Sequence, residues 1–355
     1  MVLKILPQYI VKTVIGMTAL VLLVIFGVEM FIAILRELDD IGTQGYGVKQ
    51  ACLFVLLTLP AEVYPLFPAV ALMGCLIGLG RLASQSELIV MEASGVSKAQ
   101  ITLFVLYAAI LMLIVVTAVG EGLNPKLLQF AHHYKTRAQT GSALAENRQG
   151  LWIRDGENFI YIDQVLPEGK LLFALRYQLD GTVLKVASTA KEGNYQHHQW
   201  VFSEVTETVF YPQKVVSAHI PSQVWPISLD PDFVGIANIN PNQASLPALK
   251  RYIHYLAKTG LYTKPYEFEF WKRILRPLSA LVMIGLAIPF IFGSLRSKPM
   301  GFRILVGVII GFGFYTFNEF LGPFSLLYQV PPFLCAIIPL LAFALLDVIL
   351  LRRAS

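Results

Sequence analysis

Apolar residues run almost unbroken along both ends of the chain and alternate with polar ones only in its middle. The runs at 11–35, 52–80, 101–120, 274–293, 302–321 and 331–351 reach or exceed the ~20 mostly apolar residues that a helix needs to cross a bilayer. The pattern therefore predicts six membrane helices. Pro60, Pro65 and Pro68 break the second run, so its first part reads as a separate interfacial or re-entrant piece. From residue 150 the period changes to two. LWIRDGENFIYIDQV alternates on both sides of Asp155-Gly156, and ALRYQLDGTVLKVASTA does so around Asp180-Gly181. Asp-Gly between alternating segments is the strongest short hairpin signal. QWVFSEVTETVFYP alternates again. Short strands with turns at near-regular spacing predict an all-β sandwich or jelly roll. In SLPALKRYIHYLAKTG, Ser245 is a helix cap, Leu249, Tyr252, Ile253 and Leu256 share one face, and Gly260 is a stop. This is a connector helix leading into the fourth span. The predicted organisation is three membrane helices over 1–121, a β domain with its connector over 122–265, and three more helices over 266–355.

One connecting stretch has its own punctuation. SQSELIVMEASG (84–95) lies between the second and third spans. Ser84 and Glu87 have the S-x-x-E spacing of a capping box, the hydroxyl accepting from the N–H of Glu87 and the carboxylate accepting from the N–H of Ser84. Gly95 suits the left-handed conformation that closes a helix. The body is about 15 Å long at 1.5 Å per residue, too short to be stable alone. Leu88, Met91 and Gly95 share one face, and Ile89, Glu92 and Val96 another. The helix therefore packs back on the membrane interface, the reading that periodicity favours, or docks into a partner protein.

Composition agrees with a membrane protein. Of 355 residues, 55% are hydrophobic and 14% charged, against about 25% charged in a soluble domain. The first apolar run is longer than a signal h-region and lacks a small-x-small cleavage site, so it is expected to remain as an anchor. Lys4, Lys12, Arg296, Lys298, Arg303, Arg352 and Arg353 fall on one side of a six-span topology. By the positive-inside rule that side is the cytoplasm, with both termini and the 84–95 loop inside and the β domain outside, in the periplasm. Lys272, Arg273 and Arg276 crowd the outer end of the fourth span against this rule. They either snorkel to the interface or face anionic lipid headgroups. The net charge of +5, without a basic run interleaved with aromatics, gives no support for nucleic-acid binding.

The chemistry expected of an enzyme is missing. Cys52, Cys75 and Cys335 all fall in apolar runs, leaving the β domain without a disulfide or a thiolate metal site. His132-His133 and His197-His198 have no further ligand at useful spacing. No G-x-S-x-G or H-E-x-x-H motif occurs, and no G-x-x-x-x-G-K-[ST] phosphate loop. An energy-coupled transporter of this kind needs an ion gradient or an ATPase partner. Glu29, Glu62, Asn318 and Glu319 lie in or near the outer halves of spans, where an acid faces a polar cavity, pairs with a base or carries protons. Gly74-x-x-x-Gly78 and Gly307-x-x-x-Gly311 allow close helix packing.

LGRLASQSELIVMEASGVSKAQ (79–100), GLWIRDGENFIYIDQV (150–165), FIFGSLRSKPMGFRI (290–304) and GPFSLLYQVPP (322–332), in this order and with this span layout, resemble the LptF/LptG permease family. The resemblance implies a subunit without catalytic chemistry or a cofactor of its own, ATP and Mg being held by a partner. It implies an LptF–LptG heterodimer over an LptB-like ATPase dimer, extracting lipopolysaccharide from the inner membrane and passing it to an LptC- and LptA-like periplasmic bridge. It also implies a jelly-roll periplasmic domain, lateral gates at spans one and five, and a coupling helix at 84–95 that docks on the ATPase, with Ser84, Glu87, Leu88, Met91, Glu92 and Gly95 in it. Lys272, Arg273 and Arg276 are then headgroup contacts. On span one Arg36 is followed by Glu37, Asp39 and Asp40, so Arg36 alone is left there for phosphate. Glu29, Glu62, Asn318 and Glu319 become polar groups of the lipid cavity. The rivals are a gradient-driven lipid or solute transporter using a membrane carboxylate, and a membrane-anchored protein whose β domain binds envelope polymer.

Overall fold

The structure, a computed structural model, describes residues 2–42, 45–140, 150–165, 170–196, 199–225, 244–258, 262–292 and 299–354. The chain divides into two compact units. One comprises Met1–Asp39, Ala51–Leu128 and Lys264–Ser355, and the other Asp40–Gln50 and Gln129–Thr263.

The first unit is helical. Helix α1 (Val2–Glu37) is followed by α2 (Val48–Val63), a 3₁₀ turn at Tyr64–Leu66, and α3 (Phe67–Ser84). Together α2 and α3 make one candidate span, Val48–Ser84. Pro65 and Pro68 stand at the first turns of the elements that follow Val63 and Leu66, where a missing N–H costs no hydrogen bond. The prolines thus tighten a turn within the span. After α4 (Glu87–Ala93) and α5 (Lys98–Thr117), a π segment, Ala118–Leu123, leads into α6 (Asn124–Thr140). Gly120 lies there against the ring of Tyr64, where any Cβ would come within 2.4 Å of it. Helices α8 (Lys264–Phe292), α9 (Met300–Leu327) and α10 (Pro332–Ala354) complete the unit. Among the described residues, six helical segments are long and apolar enough to cross a membrane.

The two glycine pairs bring helices together inside this unit. A Cβ on Gly74 would lie 2.3 Å from Thr18 Oγ1, and one on Gly311 2.8 Å from Ala69 Cβ. So α3 packs on α1 through one pair and on α9 through the other. Within the most apolar window of each span, the α2–α3 span is 72% buried, against 17% for α1 and 22% for α9. The α2–α3 span is central, and α1 and α9 are peripheral.

The second unit holds a six-stranded antiparallel meander, β1 (Leu151–Asp155), β2 (Asn158–Val165), β3 (Leu171–Asp180), β4 (Val183–Gln196), β5 (Gln199–Phe210) and β6 (Val215–Trp225), paired in sequence order. Both Asp-Gly turns form, with Gly156 and Gly181 at φ +59 and +62, values a side chain rarely adopts. Helix α7 (Leu246–Lys258) begins as predicted, with Ala248 N–H donating to Ser245 Oγ at 3.4 Å. Its Tyr252 and Tyr255 pack on the sheet core. Gly260, the proposed stop, and His197-His198 lie outside the described residues. The loop after α1 belongs to this unit, with Lys135 of α6 2.7 Å from Asp40 and over the ring of Tyr46.

Pairing is skipped at the same place across the sheet, at Phe173, Lys191, Glu204 and Pro221. Phe173 and Glu204 have positive φ. The buried face switches there in β3, β4 and β5: Leu171 against Ala174 and Arg176, Ser188 and Ala190 against Gly193, Trp200 and Phe202 against Val205. Because the irregularities align, the register survives while the sheet creases. Glu207 pairs across from Ala218, five positions from Gln223, or about 16 Å along a flat strand. Yet Gln223 Nε2 donates to Glu207 Oε2 at 2.9 Å. The meander is therefore doubled over along the crease, and the expected sandwich arises from one sheet facing itself. Inside are Trp200, Phe202 and Trp225, the last two stacked with centroids 4.0 Å apart.

Candidate functional site

Between α1, α3 and α9 lies an open groove of about 460 Å³, lined by Leu20, Val24, Val70, Met73, Val308, Phe312 and neighbouring apolar side chains. Its floor is α3, set by the two glycine contacts, and its walls are the two peripheral helices. Ligand pockets in proteins commonly span 300–1,000 Å³. A groove of this size without polar groups along its length suits alkyl chains.

The charged residues predicted to contact headgroups are largely paired with acids. Lys272 Nζ lies 2.8 Å from Glu269 and 3.2 Å from Glu319, and Arg273 Nε lies 3.2 Å from the same Glu269. Arg273 is buried. Arg276 stacks on the Tyr64 ring, 4.5 Å from its centroid, a cation–π contact, and Gly120 packs against the same ring. Arg36 bridges Glu29 and Glu62, each at 3.7 Å, with its side chain 54% exposed. Asn318 and Glu319 line a small recess with Lys272 and Arg276. The membrane carboxylates predicted as cavity groups are thus placed mainly as partners of bases. Glu269, missed in the sequence, sits one helical turn before Lys272 and Arg273, a spacing that ion pairs on helices use.

The connecting helix departs from expectation in its start, its length and its buried face. There is no capping box at Ser84. Helix α3 continues through Ser84, whose hydroxyl donates back to Gly80 O at 2.9 Å. The residue preceding α4 is Ser86, left-handed at φ 59 and without a side-chain cap. Glu87 instead accepts from Tyr9 Oη at 3.2 Å. The box exists thirteen residues on, between Ser97 and Gln100 at the start of α5. An S-x-x-E match is local, and here the apolar periodicity of α3 overrides it. The body of α4 is seven residues, shorter than predicted. Gly95 does close it, at φ +92. Val96 N–H donates to Met91 O and Gly95 N–H to Glu92 O, both at 3.0 Å, the pair of bonds of a Schellman motif. That turn swings Val96 back, so the buried face is Leu88, Met91 and Val96. Glu92 is half-buried, while Ile89 and Val90 are exposed at 46% and 63%.

A side chain not foreseen as special lies just beneath. Arg303, in the first turn of α9, is 1% exposed. It donates to Gly80 O and, at 3.0 Å, to Ser84 Oγ. In sequence it counted only as an inside charge.

Comparison with known proteins agrees with these features. Residues 8–353 match the family model described as lipopolysaccharide export system permease LptF/LptG. The chain is 35% identical over 356 residues to the lipopolysaccharide export system permease protein LptG of Escherichia coli K12, covering 99% of each. It is 32% identical over 352 residues to the Haemophilus influenzae Rd protein of that name, covering 98% of each. A match of this length, over a chain with six membrane-length helices and an antiparallel β unit, establishes that the protein belongs to the LptF/LptG family of lipopolysaccharide export system permeases.

Proposed function

We propose that this chain is the LptG-type permease subunit of an ATP-driven transporter that extracts lipopolysaccharide from the inner membrane and delivers it towards the outer membrane. The observation that carries this reading is the apolar groove between α1, α3 and α9. Its size and lining fit acyl chains, and its peripheral walls have apolar outer faces, such as Leu23 at 72% and Ile309 at 60% exposure, for lipid or a second permease. Both termini and α4 face the cytoplasm, and the β unit faces the periplasm, beside LptC- and LptA-like proteins. Headgroup phosphate meets Arg36, the most exposed of the candidate bases, with Lys272 and Arg276 lining the recess at Glu319.

The chain has no nucleotide site in its sequence, so hydrolysis belongs to an LptB-like ATPase dimer that holds ATP and Mg. Helix α4 supplies the contact. Its inner face is sunk in the bundle, and Ile89 and Val90 stand out as an apolar patch beside Glu87 and Glu92. Closure of the ATPase dimer moves α4, narrows the groove against a second, LptF-like permease, and drives lipid towards the β units. No bond in the lipid is made or broken.

Purification from native membranes in mild detergent tests this. Wild-type protein is expected to bring down a soluble P-loop ATPase and a second six-span permease, and Glu87→Ala to lose most of the ATPase while keeping the permease. Recovery of the wild-type chain alone, correctly folded, shifts the reading to a gradient-driven transporter.

A further inference from the structure

Two contacts lie at the N-terminal side of α4, one on its first residue and one on the end of α3 just before it. Tyr9 of α1 donates to Glu87, the first residue of α4. Arg303 of α9 donates to Gly80 O and Ser84 Oγ in the last turn of α3, and only Gln85 and Ser86 separate α3 from α4. The carbonyl end of a helix carries partial negative charge, so a guanidinium is well matched to it. Gly80 makes the room, since a Cβ there would lie 2.7 Å from Arg303 Nη1. The same three helices, α1, α3 and α9, line the groove.

We propose that Arg303 is a positioning residue for transport. It holds the base of α9 to the end of α3, so that displacement of α4 moves one wall of the groove, while Tyr9 ties the other wall, α1, to the same point. A buried arginine hydrogen-bonded to a helix end adds a directional, charge-assisted link to the non-directional apolar contact. The inference rests on the ATP-driven reading above.

The test uses the complete complex with its ATPase in vesicles of native phospholipid and lipopolysaccharide, carrying nitroxides at Val24→Cys and Phe312→Cys in a background free of Cys52, Cys75 and Cys335. The label separation is measured with and without a non-hydrolysable ATP analogue, and lipid release is counted per ATP hydrolysed. In the wild type the separation is expected to change with nucleotide. Arg303→Gln should reduce that change, and lipid released per ATP, at least twofold. Gly80→Ala, which leaves the arginine intact but displaces it, should do the same, and Arg303→Lys should restore part of both. If Arg303→Gln and Gly80→Ala only lower the yield of complex, with distance change and lipid per ATP unaltered, Arg303 is structural and the proposal is overturned. A wild-type complex whose separation ignores nucleotide overturns the ATP-driven reading, and this inference with it.

Discussion

The helical unit buries Arg273 and Arg303 and the sheet unit buries Arg176, and Arg303 and Arg176 are held in different ways. Arg303 in the helical unit donates to a backbone carbonyl and a hydroxyl at the end of α3. Arg176 in the sheet unit, 6% exposed, faces a full carboxylate, Glu207, at 3.1 Å, donates to Ser188 at 3.3 Å and lies 5.0 Å from the ring of Trp225. Burial lowers the pKa of Arg176, and Glu207 opposes that shift. Charge against charge in a dry interior fastens the doubled sheet in one arrangement. Charge against a helix end sits where two rods meet, a joint that can carry motion. The sheet is built to stay shut, the helices to be moved.

Removing Arg176 should have the largest effect. Arg176→Ala removes the counter-ion of Glu207, which Gln223 still holds at 2.9 Å, a loss of about 3 kcal/mol at the low end for a broken buried pair, seen as a lowered unfolding midpoint of the purified chain followed by fluorescence of Trp200 and Trp225. Replacing Arg176 and Glu207 together with Met and Leu should recover most of it. If the single variant unfolds at the wild-type midpoint, the charge pair is not what fastens the sheet. An intermediate effect is expected in the helical unit from Gly74→Ala, whose Cβ would press on the Thr18 backbone at 2.4 Å. Overpacking of this kind costs about 1–3 kcal/mol and is readable in thermal melts in detergent. The smallest is Ser97→Ala, which removes the hydroxyl of the α5 capping box for about 1 kcal/mol. Its melt should shift slightly, and ATPase recovery should stay at the wild-type level. Loss of the ATPase there would extend the docking surface beyond α4.

What could be read from the sequence was local or long. The six apolar runs need only length, and the Asp-Gly turns need only four residues with φ > 0 at glycine. What could not be read depends on alignment between distant segments. The skipped pairings at Phe173, Lys191, Glu204 and Pro221 look unremarkable one at a time, and only their common line makes a crease. The S-x-x-E at Ser84 failed because its meaning depends on where the preceding helix stops. Lys272 and Arg273 stood out as exposed positive charge because Glu269 and Glu319, their partners, were not yet beside them. Arg303 was hidden among the loop charges that set orientation, as its role needs Gly80, two hundred and twenty-three positions away.

The crease also bears on how such a domain can vary over evolutionary time. Deleting one residue at Lys191 would remove the face switch from β4 while its neighbours keep theirs. Half of that strand would then have to turn its apolar side to water or slip against two partners at once, because a one-residue slip reverses every side chain. A length change there could be absorbed only if the neighbouring strands changed with it. Insertions and deletions in this domain are therefore confined to its turns and ends, and sequences descended from a common ancestor should align through the strand bodies without a gap.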